Sequence, residues 1–175
     1  MARTTMAALI DRVRRMIHDP AGADETWTDD ELQDWLDAHR EDVVQRQLGY
    51  AETIADGAVV VLDYAAKDGN WESDAALADS AGTALTPDTA DYLVGRWTFA
   101  AHQAPPVYVS GRSYDVYAAA ADALEARAAQ VALAFDFTAD GATYHRSQQG
   151  EALLRLARQY RGQARVRVAR MVRTD

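Results

Sequence analysis

Between Gly49 and Arg112 the chain loses the three-to-four-residue apolar repeat that runs through the segments on either side, and Gly, Pro and Asp become frequent. A helix needs a sustained 3.6-residue period and strands and turns do not, so this interval is where strands and loops are expected. "AVVVLDYAA" (58–66) reads as one strand, and "TADYLVGRWTFAA" (89–101) and "PPVYVSG" (105–111) as two more, with Pro105 and Pro106 blocking a helix between them. The polar stretch "DGNWESDAALADSAGTALTPD" (68–88) reads as a long excursion, of the length that in compact domains is generally functional or poorly ordered.

The flanks read as helices. Met6, Ile10, Val13 and Ile17 fall on one side of a helix over residues 4–18, which "DPAG" ends. Thr28 and Glu31 have the spacing of a capping box, Trp27 can staple onto Leu32, and Asp29, Asp30 and Glu31 suit the positive end of the helix dipole. Leu32, Trp35, Leu36, His39 and Val43 carry that second helix to about Leu48. Asp115 can cap a third, "VYAAAADALEARAAQVALA", whose alanines allow close approach and whose larger core candidates are Leu124 and Val131. Ser147 can cap a fourth, running to about Arg161 with Leu153, Leu156, Ala157 and Tyr160 inward, before Gly162 stops it. The fold expected is mainly α: a four-helix bundle over residues 1–162 with a β-containing insertion at about 50–112.

Between the last two helices, "FDFTADGATYHRSQQ" (135–149) alternates around Asp140–Gly141, the pair favoured in a two-residue type I′ turn. That register sets Phe137 opposite Tyr144 and Asp136 opposite His145, giving an aromatic face with Phe135 and a polar one. Such a ribbon either covers the open end of a bundle or projects as an arm toward a neighbour. Beyond Gly162, Arg165, Arg167, Arg170 and Arg173 are interleaved with Val166, Val168, Met171 and Val172, so residues 163–175 read as an extended basic segment needing a partner outside the bundle.

Charge is distributed unevenly. Between Asp19 and Asp91 there are 19 acidic residues against Arg40, Arg46 and Lys67, a balance of −16, whereas from Arg155 to Asp175 seven arginines face Asp175 alone, a balance of +6. Such a polarised chain can pair head to tail with copies of itself or offer its ends to different partners; the plainer reading is a solvated surface. No apolar run approaches the roughly 20 residues of a membrane span, and charges interrupt any signal-peptide core near the start, so action in a cytoplasm is expected. With no cysteine there is no thiol nucleophile, disulfide or thiolate zinc site, and His18, His39, His102 and His145 lack ligand spacing. Neither metal nor cofactor is expected.

The run "DALEARAAQVALAFDFTADGATYHRSQQGEALLRLARQYRGQARVRVARMVRTD", with "WTDDELQDWLDAHREDV" near the start, resembles the head-to-tail connector (adaptor) proteins of long-tailed bacteriophages. The resemblance covers roughly two thirds of the chain, and its most specific piece is the "DFTADG…RSQ" hairpin between two helices, followed by "ARQYR" and a basic segment; the middle, Gly49 to Arg112, matches only loosely. It implies a helical bundle with a β insertion, assembled as a homo-oligomeric ring, about twelve-fold, beneath the portal protein. It further implies a downstream neck or tail-completion protein as partner, genomic DNA passing through without sequence-specific binding, and a place in the virion neck after assembly in the host cytoplasm.

Two other classes compete. An enzyme would need an acid/base pair, but Asp29, Asp30, Glu31, Asp34 and Asp37 fall at the start and outer faces of a capped helix, and no nucleophile elbow, P-loop or dinucleotide fingerprint is present, so no catalysis is expected. A nucleic-acid-binding or regulatory module would use Arg155, Arg158 and Arg161 at three-residue spacing with the basic segment, against the chain's overall net charge of −9.

Overall fold

The computed structural model describes residues 1–55, 57–132, 137–139, 142–144 and 146–165. It divides into two compact units, Met1–Val116 and Tyr117–Asp175.

The first unit is built from two helices and two sheets. A 3₁₀ turn, Thr4–Met6, leads into α1 (Ala7–Ile17), which buries Leu9, Ile10, Val13 and Ile17 along the stripe its spacing sets out. α2 (Asp29–Ala38) opens with the full capping box: the Glu31 N–H donates to Thr28 Oγ1 at 3.3 Å, and the Thr28 N–H donates to the Glu31 carboxylate at 2.8 Å. Leu32 and Leu36 are buried.

α2 stops ten residues short of the expected Leu48. At Arg40 the backbone turns into strand β1 (Arg40–Gln47), antiparallel to β8 (Tyr108–Tyr114), with Arg40 opposite Tyr114 and Gln47 opposite Tyr108. Val43 fits a helical stripe and a strand equally well; the ladder to a partner some 70 positions away decides between them, a contact that no local period reports. A bulge between Val43 and Arg46 puts Gln45 at φ 48° and leaves Val44 outside the core. The same sheet, in the order β1-β8-β4-β5, gains β4 (Ala76–Ala78) and β5 (Ala84–Leu85), so the expected excursion at 68–88 contributes strands.

The second sheet has the order β2-β3-β7-β6. β2 (Gly49–Ala55) and β3 (Ala58–Ala65) form a hairpin, and β6 (Thr89–Asp91) with β7 (Arg96–Thr98) a second, tighter one where a single strand was expected. Gly95, in the turn of that second hairpin, has φ 79°, and a Cβ there would stand 2.7 Å from the Asp68 carbonyl oxygen, so the position demands glycine. Residues of both sheets share one aromatic-rich core of Val43, Val61, Tyr64, Trp71, Leu77, Trp97, Phe99 and Val109. Trp71 and Trp97 meet edge to face at 6.0 Å, as do Tyr64 and Phe99 at 5.8 Å.

In the second unit, α3 (Val116–Ala132) and α4 (Arg146–Arg161) flank a short hairpin of β9 (Phe137–Ala139) and β10 (Ala142–Tyr144). Tyr144 pairs with Phe137 and Ala142 with Ala139, the register expected for a two-residue connection. α3 begins directly after Asp115 and buries a run of alanines with Leu124. α4 starts at Arg146, which places Ser147 inside the helix and not at its cap; Gly162 ends it, its N–H donating to the Arg158 carbonyl. Tyr117 meets Tyr160 at 6.0 Å and Gly150 lies beside Ala128, so α3 and α4 run antiparallel.

The expected mainly-α four-helix bundle is therefore wrong. With 37% helix and 28% strand in four helices and two antiparallel four-stranded sheets, the described residues form an α/β fold. The two sheets form a unit with its own core, to which Val43, Val61, Tyr64, Trp71, Trp97 and Val109 contribute.

Candidate functional site

Two charged hubs organise the first unit. Glu72 is fully buried, and its two oxygens are engaged by four side chains. Oε1 accepts from Arg3 Nε at 3.0 Å and from the Thr5 hydroxyl; Oε2 accepts from the Tyr114 hydroxyl at 2.6 Å and pairs with Arg112 Nε at 3.0 Å. Arg3 reaches on to clasp Asp37 of α2 with two nitrogens, at 3.0 and 2.7 Å, and its backbone N–H donates to Gln33. The hub thus ties the N-terminal turn to α2 and to β8. Burial pushes the Glu72 carboxyl up, but the hydrogen bonds from Thr5, Tyr114 and Arg3 outweigh it and hold the group below its ordinary range. Burial, with the bond to Glu72, raises the Tyr114 hydroxyl well above its usual value.

The second hub is Arg14, on the buried face of α1. Its Nη2 donates to the Trp27 carbonyl at 2.8 Å and pairs with Asp29 at 2.7 Å and Glu25 at 3.1 Å; its Nη1 lies 3.5 Å from Asp19. Asp19 in turn accepts the backbone N–H groups of Thr26 and Trp27, so the link between α1 and α2 is a cross-braced loop. A groove of α1 lined by Arg14, Arg15, His18 and Asp19 opens here, but its buried charges already neutralise one another. Saturated carboxylates of this kind brace a fold; neither hub presents a carboxylate pair to a substrate. Among the described residues no group of three His, Cys, Asp or Glu is placed to hold a metal, and no helix is long and apolar enough to cross a membrane.

The surfaces able to meet a partner lie elsewhere. β7 joins β3 only along Asp63–Ala65, so the β2–β3 ribbon runs out beyond its own sheet. On one face Tyr50 stands opposite Tyr64, Glu52 opposite Val61, and Ile54 opposite Val59. Tyr64 and Val61 are core residues, yet Ile54 is 76% and Val59 57% exposed: the apolar face continues past the core into solvent. All seven residues of β2 are exposed, and β2 is the end strand of its sheet.

Of the residues singled out from sequence, Phe137 and Tyr144 are brought together in the β9–β10 ladder. Arg165 follows the turn that closes α4, in which the Gln163 N–H donates to Tyr160 and the Ala164 N–H to Arg161. Phe135, Asp140 and Gly141, and Val166, Arg167, Val168, Arg170, Met171, Val172 and Arg173, lie outside the described residues. Of the arginine stripe on α4, Arg161 is turned onto Asp122 and onto Glu125 at 3.0 Å, which neutralises part of it. His102 is a structural acceptor, its Nδ1 taking the Val61 N–H at 2.9 Å.

Sequence reasoning missed both hubs and the ribbon. Arg14 had a usable signal, since it lies four residues after Ile10 on the face that also carries Val13 and Ile17. Glu72 had none, its partners being scattered from Arg3 to Tyr114. The chain matches no known protein family, no curated protein and no solved structure.

Proposed function

We propose that the chain is a structural virion protein, a head-to-tail connector subunit that docks in a ring under a portal protein and continues the DNA channel toward the tail. The observation that carries this reading is the second unit: two antiparallel helices joined through a short hairpin and followed by an arginine-interleaved segment, which is the part of the chain where the resemblance to phage connectors is most specific. The acidic balance between Asp19 and Asp91 suits a protein beside passing DNA, which an acidic surface repels and a basic one would hold. The pairing of Arg161 with Asp122 and Glu125 disfavours a basic stripe reserved for nucleic acid.

Electron microscopy of the purified protein, alone and mixed with its cognate portal, tests the reading. Rings, or portals decorated at one end, are the expected outcome. Portals left bare by a protein that stays dispersed would overturn it, and duplex affinity that falls steeply between low and moderate salt would favour a nucleic-acid binder instead.

A further inference from the structure

The apolar face that outruns the core lies along a strand whose outer edge pairs with nothing among the described residues. Open edges are templates for another strand, and proteins usually blunt them with lysine, proline or several charges. β2, "GYAETIA", carries none of these but Glu52. On its apolar face it presents Tyr50, Glu52 and Ile54: an acid between two large apolar side chains, at the two-residue spacing of a strand.

The same chain contains the complement. Val168, Arg170 and Val172 place a base between two β-branched residues at the same spacing. We propose that residues 168–172 of a neighbouring copy add to the open edge of β2 as a further strand, joining successive subunits. The pairing sets Arg170 beside Glu52 and a valine beside each of Tyr50 and Ile54. Both triplets are symmetric about their centre, so the match holds for either strand direction. On the other face Ala169 and Met171 fall beside Ala51 and Thr53, in an order set by the strand direction. A slip of one residue turns Arg170 to the opposite face and leaves Glu52 without its base, so the register is specified.

The segment belongs to the second unit and the edge to the first. That is the heterologous arrangement a ring requires, each copy giving its strand to the next and receiving one from the last. The inference rests on the connector reading for its side-by-side copies and names the surface that joins them.

Absence of native cysteine makes the test clean. Full-length Glu52→Cys and Arg170→Cys proteins, one carrying a mass tag, are mixed, oxidised with oxidised glutathione and separated without reductant. The mixed dimer should exceed both homodimers, and the Glu52→Cys/Arg170→Cys double variant should give a ladder of multimers. Homodimers equal to or above the mixed product, or a double variant that closes on itself with no gain in mass, would overturn the proposal. A charge exchange read by sedimentation gives a second arm: Glu52→Arg should weaken association at least about tenfold, and adding Arg170→Glu to the same chain should restore it. Failure of that rescue would also count against it. Portal attachment is scored separately. Decorated portals without the mixed cross-link remove the strand exchange and keep the connector; efficient cross-linking with bare portals does the reverse.

Discussion

In residues 1–116 a buried carboxylate, Glu72, and a buried arginine, Arg14, each gather partners from several elements, while in residues 117–175 Arg161 meets Asp122 and Glu125 at the surface. The apolar contents differ as sharply. The first unit holds all four tryptophans, Trp27, Trp35, Trp71 and Trp97, and the second is lined with alanine along α3. The contrast teaches how ionic contacts divide by burial. Removing one member of a buried hub leaves the rest desolvated and unpaired, whereas an exposed pair exchanges its partner for water.

The tryptophans make that contrast measurable, because their fluorescence reports the first unit alone while helical circular dichroism reports both. The largest effect is expected from Glu72→Gln, which leaves Arg3 and Arg112 without a buried counter-charge; a loss of about 3 kcal/mol, seen as an earlier tryptophan transition, is the outcome. Loss below about 1 kcal/mol would show that the hub is easily re-solvated.

Acid should separate the units next. Because the folded Glu72 carboxyl is held below its ordinary value of 4.5, its contribution is in full force above that pH and is lost as pH falls through the lower folded value. Tryptophan emission should therefore red-shift as pH falls below about 4.5 and do so less in Glu72→Gln; the same acid sensitivity in the variant would assign the transition to other groups. Thr28→Ala removes half of the capping box and should cost about 1 kcal/mol in the tryptophan transition. The smallest change is expected from Arg161→Ala, at most about 0.5 kcal/mol once its exposure is allowed for, with tryptophan emission unmoved. A larger loss would place that pair in a drier setting than its exposure indicates.

What could be read from the chain was what its neighbours in sequence determine. The capping box at Thr28 and Glu31, the amphipathic face of α1 and the β9–β10 register are all settled within a few residues. The end of α2 was not, because β1 exists to pair with β8. The β2–β3 hairpin escaped for another reason. Ala55 pairs with Ala58, and the sequence between them, Asp-Gly, is the same two-residue signal recognised at Asp140–Gly141, but β2 is exposed on both faces and so lacks the alternation that marks a half-buried strand. The stretch 68–88 looked like an excursion because its polar residues outnumber its apolar ones. One of them, Glu72, is the hub that its distant cations make affordable.

Arg3 also donates to the Tyr114 hydroxyl, 111 residues further along, and Ser73 bonds the Thr5 carbonyl across 68. A chain emerging from a ribosome at roughly 5–20 residues per second makes its first residues on the order of ten seconds before the strand that secures them. In that interval Met6, Leu9 and Val13 can be covered only by what has already emerged, the Leu32 and Leu36 face of α2 first among it. The first unit thus fastens its opening segment in stages, to Gln33 and Asp37 first, to Glu72 and Ser73 next and to Tyr114 last, and fragments ending before Tyr114 lack only the last of these ties.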